Sequence, residues 1–232
     1  MNIVITGASR GIGKAIAEKF ASQNAHLFLC SRNENDLIQT AAEIKNKYAG
    51  AEVKYFATDL AIKENVYAFA NWCLAGAVPD VIINNAGQYI AGSITDEPEG
   101  ALEKTIALNL YSAYYLCRKL LPPMIEKKEG HIFNICSVAS LNAYPGGGSY
   151  SISKFALNGF SKNLRHELMP HGIKVTAVMP GAVLTDSWQG FDNTQNRIME
   201  ADDIASMIVA ATGLSAQAVV EEIIIRPQLG DL

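Results

Sequence analysis

Three residues in the second half of the chain have the types and spacing for proton transfer at a carbonyl or alcohol oxygen: Ser137, Tyr150 and Lys154. In Ser149-Tyr150-Ser151-Ile152-Ser153-Lys154 the tyrosine and lysine are four residues apart, a spacing that puts both on one face of a helix. A tyrosine hydroxyl, which ordinarily titrates near about pH 10, is a poor base at neutrality, but an adjacent ammonium stabilises the phenolate. Such a tyrosine exchanges a proton with the substrate oxygen while hydride moves to or from the neighbouring carbon. Ser137, at the end of the apolar run His131 to Cys136, is placed to donate a hydrogen bond to the same oxygen. Singly, each residue has an ordinary structural use; their joint placement predicts a catalytic set.

A hydride needs a carrier, and the start of the chain offers a place for one. Thr6-Gly7-Ala8-Ser9-Arg10-Gly11-Ile12-Gly13 follows the first apolar run and leads into a helical pattern. Gly7 suits a tight turn, Gly11 close approach of backbone to a pyrophosphate, and Gly13 helix packing near the strand, with the helix start presenting N–H groups to phosphates. About twenty residues on, the second run ends Cys30-Ser31-Arg32, without the carboxylate that bonds the ribose hydroxyls in an NAD site. Arg32 and Arg10 suit a two-sided clamp on a 2′-phosphate, so NADP(H) is the expected cofactor, and Ser9, Ile12 and Ser31 belong to the same candidate site. The alternative leaves both arginines facing solvent, with Glu34 or Asp36 folding back to the ribose.

The elements that position these residues follow from periodicity. Short apolar runs recur at Ile3 to Ile5, Ala25 to Cys30, Val53 to Ala57, Val81 to Ile83, His131 to Cys136, Ile173 to Val178 and Val219 to Ile225. Several lack polar alternation, as in parallel strands covered on both faces. Between them, Ile12 to Ser22, Glu34 to Tyr48, Leu102 to Leu121, Ser151 to Leu168 and Ala201 to Thr212 carry helical spacing. The strand–helix rhythm predicts one doubly wound α/β domain over residues 1–232. The least regular stretch, 182–200, is expected to be a substrate loop. In it Trp188 and Phe191 either lid an apolar pocket or pack the loop to the body or another subunit.

The chain of 232 residues carries 19 Lys plus Arg against 23 Asp plus Glu, a net charge of -4, which argues against a general attraction to nucleic acid or anionic membrane. Cys30, Cys73, Cys117 and Cys136 form no CxxC or Cys/His pattern, no HExxH is present, and no metal site is expected. They read as reduced, buried thiols. No run of about 18 apolar residues occurs, and Met1-Asn2-Ile3-Val4-Ile5 reaches Gly7 without the layout of a signal peptide, so a cytoplasmic location is expected.

Together, Thr6-Gly7 with Gly11 and Gly13, Asn84-Asn85-Ala86-Gly87, Ser137, Tyr150 and Lys154, then Pro180-Gly181 and Thr185, resemble the classical short-chain dehydrogenase/reductase family along almost the whole chain. In general character the chain is similar to small bacterial carbonyl and 3-oxoacyl-[acyl-carrier-protein] reductases. The resemblance implies a single doubly wound Rossmann domain with a seven-stranded, mainly parallel sheet flanked by helices. It places Asn109 as the active-site asparagine supporting Lys154 through a water, although an Asn in an apolar run also needs a partner for purely structural reasons.

The same resemblance sets Asp59 and Leu60 beside the adenine, and Asn85, Ala86 and Gly87 beside the adenosine ribose, where a local Asx and glycine turn is the plain alternative. It has Lys154 bond the nicotinamide ribose and Pro180, Gly181 and Thr185 hold the carboxamide. It further implies a homodimer or homotetramer built on the helices over Leu102 to Leu121 and Ser151 to Leu168. The tail Val219-Val220-Glu221-Glu222-Ile223-Ile224-Ile225-Arg226-Pro227 departs from the usual Val-Asp-Gly-Gly ending, which counts against a carrier-protein substrate. The expected substrate is a small carbonyl or alcohol. A 3-oxoacyl thioester, a sugar or polyol, or a non-catalytic NADP(H)-binding regulatory role remain as rivals.

Overall fold

Residue alternation along the apolar runs decides which helices cover which side of the sheet. Ile3, Ile5, Leu27, Leu29, Val81 and Ile83 point to one layer, while Val4, Phe28, Cys30 and Ile82 point to the other. A computed structural model describes residues 1–188 and 190–231; Gln189, inside the expected 182–200 loop, and Leu232 lie outside the described residues.

The strands are β1 (Asn2–Thr6), β2 (His26–Ser31), β3 (Glu52–Ala57), β4 (Val81–Asn84), β5 (Gly130–Ile135), β6 (Ile173–Pro180) and β7 (Glu222–Ile225). Every pairing is parallel, in the order β3-β2-β1-β4-β5-β6-β7. From β1 the chain winds outward through β2 to β3, then returns to β4 on the other side. The reversal opens a crevice at the carboxyl ends of β1 and β4.

Helices α1 (Gly11–Ala21), α2 (Glu34–Lys47) and α7 (Ala201–Thr212) cover one face. On the other lie α3 (Lys63–Gly76), α5 (Ser112–Lys127) and α6 (Gly148–Leu168), with the short α4 (Ala101–Ile106) packed on α6. This is a single Rossmann-type α/β domain, as the strand–helix rhythm predicts.

The structure corrects or completes the sequence reading in four places. The strand–helix rhythm implies a helix after the Val53 to Ala57 run without giving it bounds; it spans Lys63–Gly76, where buried Val66, Phe69, Ala70 and Cys73 recur at the 3-1-3 spacing of a helical stripe. The helix expected over Leu102 to Leu121 is broken by a π-helical turn at Ala107–Tyr111. It also continues past Pro122 and Pro123 to Lys127, held there by the fully buried Met124 in the core. The last strand is shorter than expected: the Val220 carbonyl is taken by Thr176 Oγ1, and the ladder opens with the Ala177 N–H bond to the Glu221 carbonyl, so that Glu222 is the first paired residue.

Candidate active site

The glycine turn is locked by β4. Thr6 Oγ1 donates to the Ile83 carbonyl at 3.3 Å and accepts from the N–H groups of Asn85 and Ala86 at 3.0 and 2.9 Å. The Asn85 amide in turn donates to the carbonyls of Thr6 and Gly7, both at 3.0 Å. Gly13 passes so near this knot that a Cβ on it would lie 2.2 Å from the Gly7 carbonyl oxygen, which explains the residue at that position. Thr6 was part of the sequence motif but not of the expected site; its role shows only once β1 and β4 are adjacent.

Helix α1 starts at Gly11 with no side chain capping it, and Ile12 and Gly13 complete the uncapped first turn. Uncapped N–H groups beside left-handed Gly7 and Gly11 fit a pyrophosphate, so the cofactor expected from the sequence has a matching cradle. Ser9 and Ser31 hydroxyls meet at 2.8 Å, and Thr40 Oγ1 donates to the Ser9 carbonyl at 2.8 Å, ordering the end of the crevice nearest β2. The two arginines do not converge there. Arg10 Nη1 is 2.9 Å from Asp186 Oδ2, whereas Arg32 is exposed and makes no ion pair among the described residues. Asp59 Oδ1 accepts from the Ala61 N–H after β3, and Leu60 is buried in the core beneath.

Ser137 lies two residues past the end of β5 and caps the Val138–Ser140 turn, accepting from Ala139 N–H at 3.1 Å, while its own N–H donates to Ser140 Oγ at 3.2 Å. That turn packs on α6, which carries Tyr150 and Lys154 on one face. Lys154 is only 5% exposed; its ammonium donates to the Ile135 carbonyl at 2.7 Å and lies 5.7 Å from the Tyr150 ring centroid.

The π-helical turn re-aims Asn109. Its amide oxygen accepts from Gln88 N–H at 2.8 Å, and its nitrogen donates to the Gln88 carbonyl at 3.0 Å and to Ser153 Oγ at 2.9 Å. Ser153 Oγ then donates to the Tyr150 carbonyl at 2.7 Å. Gly87 runs between the parts: a Cβ there would be 3.2 Å from Asn109 Oδ1 and 3.6 Å from Lys154 Nζ.

Pro180 and Gly181 lie at the carboxyl end of β6, with Gly181 N–H donating to the Ile225 carbonyl at 2.8 Å. Thr185 reaches over the glycine turn; its Cγ2 would be 3.1 Å from a Cβ on Gly11. The 182–200 excursion is pinched at its neck by Val183 and Met199, and within it the rings of Trp188 and Phe191 meet edge-on, centroids 5.2 Å apart.

Sequence reading missed the aromatic wall of the site. The Tyr89 ring stands edge-on to Tyr150 at 5.1 Å, and Tyr144 lies close by, its phenol pushed above the usual range by burial and by the neighbouring phenols. The four cysteines are free and buried; burial pushes the Cys136 thiol up to about 11, partly offset by the Lys154 ammonium, and leaves none poised as a nucleophile. Among the described residues no cluster of His, Cys, Asp or Glu could hold a metal, and no helix is long and apolar enough to cross a membrane.

Comparison with known proteins bears on the family and the fold. Residues 1–196 match the family described as short chain dehydrogenase. A protein of Staphylococcus aureus described as an uncharacterized oxidoreductase is 33% identical over 227 residues, 97% of this chain and 96% of its own length. A metagenomic short-chain oxidoreductase solved with NADP superposes with a TM-score of 0.86 at 35% identity, covering 98% of this chain and 97% of that one. An alcohol dehydrogenase of the archaeon Thermococcus sibiricus, solved with 5-hydroxy-NADP, gives 0.90 at 27% identity over 100% and 98% of the two chains.

Proposed function

This chain belongs to the short-chain dehydrogenase/reductase family, and on that premise we propose that it is an NADP(H)-dependent oxidoreductase moving hydride to a ketone or aldehyde carbon, or from the corresponding alcohol. The observation that carries the reading is the placement of Tyr150 and Lys154 on one face of α6, against the turn that Ser137 caps. The uncapped first turn of α1 suits the pyrophosphate, and the Ser9 and Ser31 hydroxyls meet at the end where a 2′-phosphate would lie; Arg10, paired here with Asp186, and the exposed Arg32 would each have to turn toward it. The cofactor supplies or accepts the hydride.

In the reducing direction Ser137 donates a hydrogen bond to the substrate oxygen, and Tyr150 transfers its hydroxyl proton to the same atom. Lys154 has three donors; with one on the Ile135 carbonyl, two remain for ribose hydroxyls and for the charge left on Tyr150. Asn109 holds Gln88 and Ser153, fixing the backbone on either side of the reacting groups. The phenols of Tyr89 and Tyr144 favour a small, uncharged carbonyl compound.

The test is NADPH oxidation with a small diketone, an aromatic aldehyde and an acetoacetyl thioester, run on the wild type and on Tyr150→Phe. Turnover of the small carbonyls is expected, with Tyr150→Phe lower by at least roughly a hundredfold. Undiminished turnover in Tyr150→Phe removes the tyrosine from proton transfer, and turnover confined to the thioester reassigns the substrate.

Tyr111, Tyr114, Ile152 and Phe155 leave apolar surface exposed on the π-helical turn and on α5 and α6. We propose that this face joins two copies in a homo-oligomer. A monomeric mass in solution at micromolar concentration contradicts it.

A further inference from the structure

Helix α6 begins one residue before Ser149, and its first turn carries Tyr150, so whatever fixes that turn fixes the acid–base group. Gly147 precedes the helix with no side-chain cap of its own. The cap comes from a distant segment. Glu97 Oε2 accepts from Ser149 N–H at 3.0 Å, and Glu97 Oε1 accepts from Ser149 Oγ at 2.5 Å. Ser149 is fully buried, so both bonds are shielded on its side.

The contact is built into the backbone around it. Gly92 N–H donates to the Gly146 carbonyl at 3.3 Å, and Gly148 has φ +27, where a Cβ would stand 2.5 Å from the Gly92 carbonyl oxygen and 2.7 Å from Glu97 Oε2. The hydrogen bonds from Ser149 hold the Glu97 carboxyl below the usual carboxylate range, so it is ionised at neutral pH. An anion at a helix N-terminus is favourable against the helix dipole and satisfies an otherwise orphan N–H.

We propose that Glu97 is a positioning residue for the acid–base tyrosine: through its paired hydrogen bonds to Ser149 it anchors the first turn of α6 and sets where the Tyr150 hydroxyl meets the substrate oxygen. The inference rests on the role assigned above to Tyr150. It adds a residue whose contact with the site runs through Ser149. The neighbouring Asp96 accepts from Ser93 and Thr95 within its own loop and has no such contact with α6.

The experiment compares wild type, Glu97→Ala, Glu97→Gln and Asp96→Asn in three readouts: kcat per folded molecule, NADPH affinity, and amide hydrogen exchange over residues 148–154. Glu97→Ala is expected to lose roughly ten- to hundredfold in kcat through misplacement of the tyrosine, with NADPH affinity kept within about twofold and faster exchange in 148–154. Glu97→Gln, which accepts from Ser149 N–H and donates to Ser149 Oγ, recovers most of the rate; Asp96→Asn matches wild type. A kcat in Glu97→Ala equal to wild type, or a loss matched by lost folded protein, overturns the proposal. If the wild type itself turns over none of the carbonyls, the reading of Tyr150 fails separately, and unchanged exchange over 148–154 in Glu97→Ala still overturns the anchoring.

Discussion

The Arg10 guanidinium sits 2.9 Å from the Asp186 carboxylate, joining the glycine turn to the start of the 182–200 excursion across 176 residues of sequence. Both side chains are more than half exposed, at 66% and 59%, so the pair is weak and readily exchanged. A 2′-phosphate that uses Arg10 competes with Asp186 for the same guanidinium.

Removing the competitor is therefore expected to strengthen NADPH binding. Asp186→Ala should tighten it by roughly fivefold or less, leaving NADH affinity alone, while Arg10→Ala weakens NADPH by about tenfold. Fluorescence titration with both cofactors reads the difference. If the two affinities move in parallel, Arg10 does not contact the 2′-phosphate.

Gly13 has no room for a single added carbon, since the nearest atoms are the backbone oxygen of Gly7 at 2.2 Å and Asn85 Nδ2 at 2.5 Å. Gly13→Ala is expected to cost about 1–3 kcal/mol in a denaturant titration and to weaken cofactor binding, because the turn and the β4 knot must move apart. Wild-type stability together with wild-type NADPH affinity would falsify this account of the turn.

His131, 4% exposed in β5, supplies a pH dependence of stability. Thr176 Oγ1 gives its hydrogen to the Val220 carbonyl, so it accepts from His131 Nε2–H at 2.7 Å; Nδ1 then has no protein partner among the described residues. Burial, reinforced by the Lys174 charge, pushes the imidazole down to about 3. The unfolded imidazole protonates at about 6.5, so below that pH the unfolded chain binds the extra proton and the folded state loses stability. From about pH 6 toward pH 4 the loss is expected to approach roughly 1.4 kcal/mol per unit from this group. Urea titrations of wild type and His131→Gln across that range should differ in slope by up to one proton; identical slopes reject the assignment.

Local periodicity and turn chemistry were enough to place the sheet, the glycine turn and the Tyr150–Lys154 pair. Strand alternation, helical spacing and the need for glycine at Gly7, Gly11 and Gly13 are properties of neighbouring residues. Asn109 enters through the family resemblance, since an amide in an apolar run by itself asks only for a hydrogen-bond partner, and neither reveals the π-helical turn that aims it at Gln88 and Ser153. A continuous apolar stripe hides one extra residue in a turn, and the helix rule that stops at Pro122 was outweighed by the burial of Met124. Only the tertiary structure decided which distant side chains meet. Glu97 lies in Thr95-Asp96-Glu97-Pro98-Glu99, which reads as a solvated acidic loop, and nothing local distinguishes it from Asp96 until the loop packs on α6. Arg10 likewise has a partner only because the segment after β6 crosses the glycine turn. Hydrogen bonds and ion pairs between loops depend on how rigid elements set their ends in space, and that arrangement has no period along the chain.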